Sequence, residues 1–276
     1  DKLGSALQAF EWSARAFSLA PADGGLRREV ERLAESAGAW QELVDVYVGQ
    51  LPEVPEGAAR TAIERAIADT LRVRLGNGPE ARPFYEAVAL ALPEDLPALT
   101  ALEEITTSTQ DWSALAEIIR RIANLEPDAR RRAEMLHRRA QIQSDRLEDI
   151  EAAATTYDEL LYLEPSSVGA LRALERIRRA QGRWPDVRDC LERQVESVVD
   201  RVERVDALYA LGEVWEAELG DPGRAIAVWA QAVGSDGRHR PSLTALERYL
   251  LPESTRRTEV AHLLVPVYEK IGANRE

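Results

Sequence analysis

The sequence contains little of what disulfide-linked, membrane-spanning or nucleic-acid-binding proteins depend on. It has one cysteine, so no disulfide can form within the chain. No apolar run approaches the ~18 residues of a membrane-spanning helix. The net charge is −13, which argues against binding to nucleic acid or to an anionic membrane surface, because both ligands require a basic surface.

Recognisable catalytic motifs are also missing. The sequence has no GxGxxG, Walker, HExxH or GxSxG pattern. The three histidines, His137, His239 and His262, are scattered along the chain, which is not the clustering that a metal site requires. We therefore expect no catalytic activity, no cofactor and no metal site.

What the sequence does contain is a repeat with a period of 72 residues. Tryptophan recurs at 40, 112 and 184, and proline at 21, 93 and 165. Glutamate recurs in the same register at 31, 103, 175 and 247, and the register continues without an insertion from Leu3 to Glu247. A fixed period of this kind predicts a repeat architecture. Cys190 aligns with Ile118 and Val46, so we interpret it as a small buried hydrophobic residue and not as a nucleophile.

Each period divides into four helical segments. In residues 112–183 the first segment has apolar residues at steps of three and four from Trp112 to Ile122, and Asp111 is placed to cap it. Four helices in 72 residues predict two antiparallel hairpins of about 36 residues each. Sustained alternation of polar and apolar residues is absent, so we predict no strands.

The segment from Leu208 to Gly237 has apolar and small residues at two sets of helical packing positions, namely Leu208, Leu211, Gly212, Trp215, Ala225, Trp229 and Ala232. These match the first-helix and second-helix packing positions of the tetratricopeptide repeat (TPR), so the segment resembles that family. The segment from Ala170 to Val195 is similar in a looser way, through Leu174, Ile177, Gly182, Trp184, Val187 and Leu191. The resemblance implies an all-α fold, an α-solenoid in which antiparallel helical hairpins form a right-handed superhelix. It also implies a concave groove, lined by the first helices, that typically binds peptides or partner helices.

We expect one TPR-like solenoid over residues 1–276, with complete units at 40–111, 112–183 and 184–255 and partial units at 1–39 and 256–276. Because the sequence begins and ends inside repeats, we expect it to be a piece of a longer protein. The single cysteine favours the cytoplasm, while the periplasm stays open because targeting signals can lie outside these residues.

Charge is the feature that does not repeat. Residues 112–183 have 13 basic and 12 acidic residues, a net of +1, whereas residues 40–111 have 5 and 13, a net of −8, and residues 184–255 have 8 and 14, a net of −6. The surplus is arginine on two predicted first helices. The hypothesis is that these side chains bind an acidic peptide, tail or terminal carboxylate through bidentate hydrogen bonds; the candidate residues are Arg131, Arg138, Arg139, Arg172, Arg176 and Arg179.

Two further observations bear on that hypothesis. Arg139 stands where the neighbouring units have Ile67 and Leu211, and Gln143 stands where they have Leu71 and Trp215. Polar residues at packing positions favour a functional or strained site. The alternative is that the arginines pair within the array with Glu134, Asp158, Glu159 and Glu175, which leaves a solvated face.

These observations predict a non-catalytic protein-interaction scaffold that binds a peptide or a partner protein, which the arginines suggest is acidic. Two alternatives stay open. In the first alternative the chain is a structural or self-assembling solenoid spacer. In the second it is a regulatory or sensor segment of a larger enzyme.

Overall fold

The computed structural model describes residues 2–273, with side chains described from residue 6 to residue 272. Within these residues the chain forms helices joined by short turns, and no strand occurs among them. The prediction of an all-α fold is confirmed. The helices divide between two compact units, residues 1–127 and 128–276.

The first unit has seven helices among the residues described. They are α1 (Lys2–Leu19), α2 (Gly24–Ala37), α3 (Trp40–Gln50), α4 (Ala58–Asp69), α5 (Gly78–Ala91), α6 (Leu96–Ser108) and α7 (Trp112–Leu125). A π-helical turn, Thr70–Arg74, extends α4. Consecutive helices pack against one another from α1 to α7.

The second unit has eight helices among the residues described. They are α8 (Ala129–Asp145), α9 (Ile150–Leu163), α10 (Val168–Ala180), α11 (Trp184–Ser197), α12 (Arg201–Glu213), α13 (Pro222–Ser235), α14 (Arg240–Glu247) and α15 (Arg257–Ala273). A π-helical turn, Val214–Glu218, extends α12 at the register of the one after α4. Neighbouring helices pack in pairs here too. In each unit this is the α-solenoid arrangement of stacked hairpins; the superhelical handedness and the concave groove stay predictions.

Aspartate is the N-cap residue of many of these helices. Asp111 Oδ1 accepts a hydrogen bond from the backbone N–H of Ala114 at 3.1 Å, as the sequence predicts. Such a bond satisfies one of the N–H groups that have no partner inside the helix. The same contact recurs at Asp23, Asp95, Asp128, Asp149, Asp200 and Asp221.

The helical faces predicted to point inward are buried. Leu115, Ile118, Ile119 and Ile122 of α7 are at most 8% exposed. The second helices bury an aromatic ring at one register, which is occupied by Tyr85, Tyr157 and Trp229. Since buried apolar surface is the main favourable term in folding, these recurring positions hold each hairpin together.

Candidate functional site

The six candidate arginines lie on α8 and α10, both within the second unit. On α8, Arg131 and Arg138 are exposed, whereas the side chain of Arg139 is only 15% exposed. Arg139 Nη1 donates to the hydroxyl of Thr156 on α9 at 3.0 Å, and that hydroxyl donates to Gln143 Oε1 at 2.7 Å. Arg139 therefore lies between α8 and α9 and is not displayed on the surface.

On α10, two of the three candidates form ion pairs. Arg172 Nη2 lies 2.8 Å from Glu203 Oε2, and Arg179 Nη2 lies 2.8 Å from Glu175 Oε1. The neighbouring Arg178, which is buried, pairs with Asp158 at 2.7 Å. Pairing within the array thus accounts for part of the arginine surplus.

Arg176 differs from its equivalents in the adjacent repeats. One period earlier stands Glu104, which pairs with Arg72 at 2.7 Å, and one period later stands Arg248, which pairs with Glu216 at 2.9 Å. The residue that corresponds to Arg72 and Glu216 in the middle repeat is Ser144, which has no charge. Arg176 is exposed, and no carboxylate within 4.0 Å of it is found in the part of the chain that the structure describes.

The tyrosine beside Arg176 has also lost the partners of its equivalent. Tyr85 Oη donates to Asp69 at 2.5 Å and accepts from Arg72 Nε at 3.0 Å. The corresponding Tyr157 is buried, and between residues 6 and 272 no hydrogen bond of its hydroxyl is found. Burial raises the pKa of Tyr157, and the charge of Asp145 adds to the effect, while the charge of Arg176 opposes it.

The first unit contains a groove that the sequence analysis missed. It lies between first helices α2 and α4, has a volume of about 860 Å³, and includes Trp40 and Leu43 in its lining. The sequence contains a signal for this groove, which is the spacing of three alanines on α4, at 58, 62 and 66. At most of the equivalent positions the later repeats have larger residues. Small side chains at i, i+4 and i+8 lie on one face of a helix, so they leave space along it.

The groove has charged side chains of both signs, and most of them are paired. Arg27 pairs with Glu31 at 3.1 Å, and Arg74 pairs with Glu35 at 3.1 Å. Arg65 reaches the N-cap residue of α6, Asp95, at 2.5 Å. This pairing leaves little free charge to select an acidic or a basic ligand.

Comparison with known families identifies the repeat. Residues 170–204, which include α10 and α11, match the family model described as tetratricopeptide repeat. This segment is a TPR-like repeat, and it lies within a chain of helical repeats. The match falls on the segment from Ala170 to Val195, whose residue spacing resembles the TPR pattern less closely than that of the segment from Leu208 to Gly237. TPR repeats are generally non-catalytic, and in general they act as scaffolds for protein–protein interaction.

Several solved structures are similar to this TPR-like chain at low identity. A crystal structure of MamA is 17% identical and covers 65% of this chain and 93% of its own, with a TM-score of 0.38. YrrB, described as a TPR protein with an unusual peptide-binding site, is 12% identical over 74% of this chain and 99% of its own, with a TM-score of 0.37. The C-terminal part of a TPR repeat-containing protein from Cytophaga hutchinsonii is 12% identical over 88% of this chain and 95% of its own, with a TM-score of 0.40. The search of curated proteins found no match.

The cysteine and two of the histidines are packed against other side chains. Cys190 is buried, and burial raises the pKa of its thiol to about 11, as expected of a packed residue. His137 lies edge-on to the Tyr157 ring, and His239 lies edge-on to the Tyr209 ring. No group of three or more metal-ligating side chains occurs in the described part of the chain. Of the helices in residues 2–273, none combines the length and apolar character needed to span a bilayer.

Proposed function

We propose that the chain is a non-catalytic protein-interaction scaffold whose first helices α8 and α10 bind an acidic segment of a partner peptide or protein. Arg176 is the principal contact in this proposal, with Arg131, Arg138 and Arg172 as further contacts. Arg139 positions α8 against α9, and Arg179, which lies over the Trp184 ring and pairs with Glu175, borders the site.

The observation that carries the proposal is the missing partner of Arg176. The same register holds an ion pair in both flanking repeats, once with the charges exchanged. In the middle repeat a serine stands at the partner position, and among the described residues no carboxylate lies within 4.0 Å of the exposed guanidinium. A guanidinium with free donors favours a ligand carboxylate, because the charge-assisted, bidentate bond is among the stronger hydrogen bonds that proteins make.

Two neighbouring groups add to the site. The Tyr157 hydroxyl, which lacks the partners of Tyr85, is a further donor beside Arg176. The Arg172–Glu203 pair is about half exposed on both sides, so it contributes little to stability, and a ligand carboxylate can replace Glu203 at low cost.

The test is an affinity pull-down from native lysate with four proteins: the wild type, Arg176→Gln, Ser144→Glu and Arg248→Gln. Ser144→Glu restores the missing carboxylate without removing the arginine, and Arg248→Gln is the matched control one repeat later. We expect a partner that the wild type and the control retain and the other two lose, with circular dichroism unchanged.

Loss of the partner from the control as well, or its retention by Arg176→Gln, would contradict this site. If no protein is captured and light scattering shows a mass that rises with concentration, the result would favour the self-assembling spacer instead.

A further inference from the structure

Two adjoining grooves lie near the end of the second unit, on elements other than those that carry Arg176. One has a volume of about 370 Å³ and lies between the end of α13 and the last turns of α15. The other, of about 500 Å³, lies between the start of α14 and the same part of α15. They share Arg238 and Ile271, so together they form a continuous lining.

Four basic side chains line these grooves: Arg201, Arg238, Arg240 and Lys270. All four are exposed. Arg201 donates to the carbonyl oxygen of Ser235, which leaves its charge uncompensated. Within the described residues, no carboxylate lies within 4.0 Å of any of the four side chains.

Two acidic residues lie nearby, and each accepts a hydrogen bond from an uncharged donor of the groove lining. Asp236, which lines the first groove, accepts a hydrogen bond from the backbone N–H of Arg238 at 3.1 Å. Glu247 of α14 accepts from the hydroxyl of Tyr268. With four basic residues and one acidic residue, Asp236, the lining is a cationic patch in a chain whose net charge is −13.

The pattern contrasts with other exposed or half-buried arginines of the chain. Arg120, Arg183, Arg224 and Arg256 each pair with a carboxylate three residues away. Four like charges around one concavity repel one another and raise the local positive potential, which an anionic ligand would relieve. The lining also includes apolar side chains of Val233, Val267 and Ile271, which suit an aliphatic side chain next to the anionic groups.

We propose that this patch is a second binding site, which takes an acidic segment of a partner protein that has an apolar residue among its carboxylates. A long polyanion such as nucleic acid fits less well, because the rest of the chain is strongly acidic and would repel it. The site involves α12 to α15 and does not depend on the arginines of α8 and α10.

The experiment uses the whole chain with Arg176→Gln in every protein, so that failure here is separable from failure at the α10 site. The probe is a fluorescein-labelled peptide of four glutamates around one leucine, and its analogue with four glutamines is the reference peptide. Binding is measured by fluorescence anisotropy at two salt concentrations. The test variant is Arg201→Gln/Arg238→Gln/Arg240→Gln/Lys270→Gln, and the control, with an equal change in charge, is Arg120→Gln/Arg183→Gln/Arg224→Gln/Arg256→Gln.

We expect the glutamate peptide to bind the parent and the control with similar Kd, the test variant to bind it about tenfold more weakly or worse, and higher salt to weaken binding. A triple variant that keeps Arg201, and with it the bond to the Ser235 carbonyl, should show the same loss if the quadruple variant unfolds. Equal loss in test and control variants would overturn the site. So would binding of single-stranded RNA or of anionic vesicles in place of the peptide, or sedimentation showing that the patch pairs two copies of the chain.

Discussion

At the residue scale, equivalent positions of the repeats share a backbone conformation even where their residues differ. Two turns recur in the left-handed conformation that favours glycine, one at 38, 110 and 182 and the other at 76, 148 and 220. Four of these six positions are glycine. The other two are Gln110, with φ of 56°, and Glu148, with φ of 54°. A side chain with a Cβ atom is disfavoured in this conformation.

Gln110→Gly and Glu148→Gly are therefore expected to stabilise the protein. Each should raise the free energy of unfolding by about 0.5–1 kcal/mol, because the relieved backbone strain exceeds the entropy that glycine loses on folding. Urea denaturation followed by circular dichroism measures the effect. Gly182→Ala is the reverse control and should be destabilising; no gain from either glycine would show that the turns are not strained.

Gly212 is required for a different reason, which is the size of the residue opposite it. A Cβ atom on Gly212 would lie 2.2 Å from Trp229 Nε1, closer than any real contact. The equivalent positions in the other repeats are Ala68 and Ala140, and there the aromatic position is Tyr85 or Tyr157. The repeats thus match a smaller residue with a larger ring.

The pair predicts a double-mutant cycle. Gly212→Ala should cost about 1–3 kcal/mol, because the Trp229 ring must move out of its packed position. In combination with Trp229→Tyr, which restores the alanine and tyrosine of the other repeats, the added cost of Gly212→Ala should largely disappear. Thermal melts of the four proteins give the coupling; additive losses would mean that the two residues do not compete for space.

Cys190 predicts a dependence on pH. Its thiol pKa is raised by burial from 9.0 to about 11, so the thiol contributes stability that is present below pH 9 and is lost as the pH rises toward 11. Cys190→Ser removes this thiol titration and should flatten the fall in stability over that range. In the native protein a thiol reagent at pH 8 should react far more slowly than in urea; rapid native labelling would contradict the burial.

At the scale of elements, the α8–α9 hairpin has a polar layer where the other hairpins are apolar. Arg139, Gln143 and Thr156 occupy positions that hold Ile67, Leu71 and Phe84 in one neighbouring repeat and Leu211, Trp215 and Val228 in the other. Arg139 Nε is buried and has no hydrogen-bond partner among the described residues. The layer is therefore incompletely satisfied, which costs stability.

Replacing the whole layer should stabilise this hairpin. We expect Arg139→Leu/Gln143→Leu/Thr156→Val to raise the free energy of unfolding by about 1–4 kcal/mol, since well-packed apolar groups often outperform buried polar ones. Thr156→Val alone should instead lower it by about 1–3 kcal/mol, because it leaves Arg139 and Gln143 without their shared partner. Urea denaturation separates the two cases. A triple variant less stable than the wild type would mean that the polar layer is needed for packing.

Arginine also connects successive second helices at two equivalent places. Arg121 Nη2 donates to the carbonyl oxygens of Ala89 and Pro93, and Arg193 Nη2 donates to that of Pro165. This gives a structural reason for the proline register at 93 and 165. The C-terminal end of one second helix is thus bound by an arginine of the next second helix.

At the scale of the whole molecule, the two compact units and their repeats predict unfolding in parts. Each repeat depends mainly on its neighbours, so a segment can unfold before the rest. In scanning calorimetry the calorimetric enthalpy should exceed the van't Hoff enthalpy. Gly212→Ala should lower the temperature of only part of the transition; a single transition with equal enthalpies, shifted as a whole, would contradict this.

The sequence alone determined the repeat, the helices and the places where they begin. The 72-residue period, the Asp caps and the buried faces are local or periodic properties, and each depends on residues a few positions apart. The sequence also placed the arginine surplus on α8 and α10, because charge can be counted without coordinates. It did not find the groove between α2 and α4, since that space depends on how two helices 30 residues apart pack.

Only the tertiary structure decided which arginines are free. Arg172 pairs with Glu203, Arg178 pairs with Asp158, and Arg139 enters the α8–α9 interface. The equivalents of Arg176 pair with a charged residue, whereas the corresponding position in its own repeat is a serine. Those partners lie on other helices, roughly 20–30 residues away along the chain, and pairing depends on distances of 3–4 Å. The charge of each residue can be read from the sequence, but whether that charge is neutralised depends on which residues are neighbours in space.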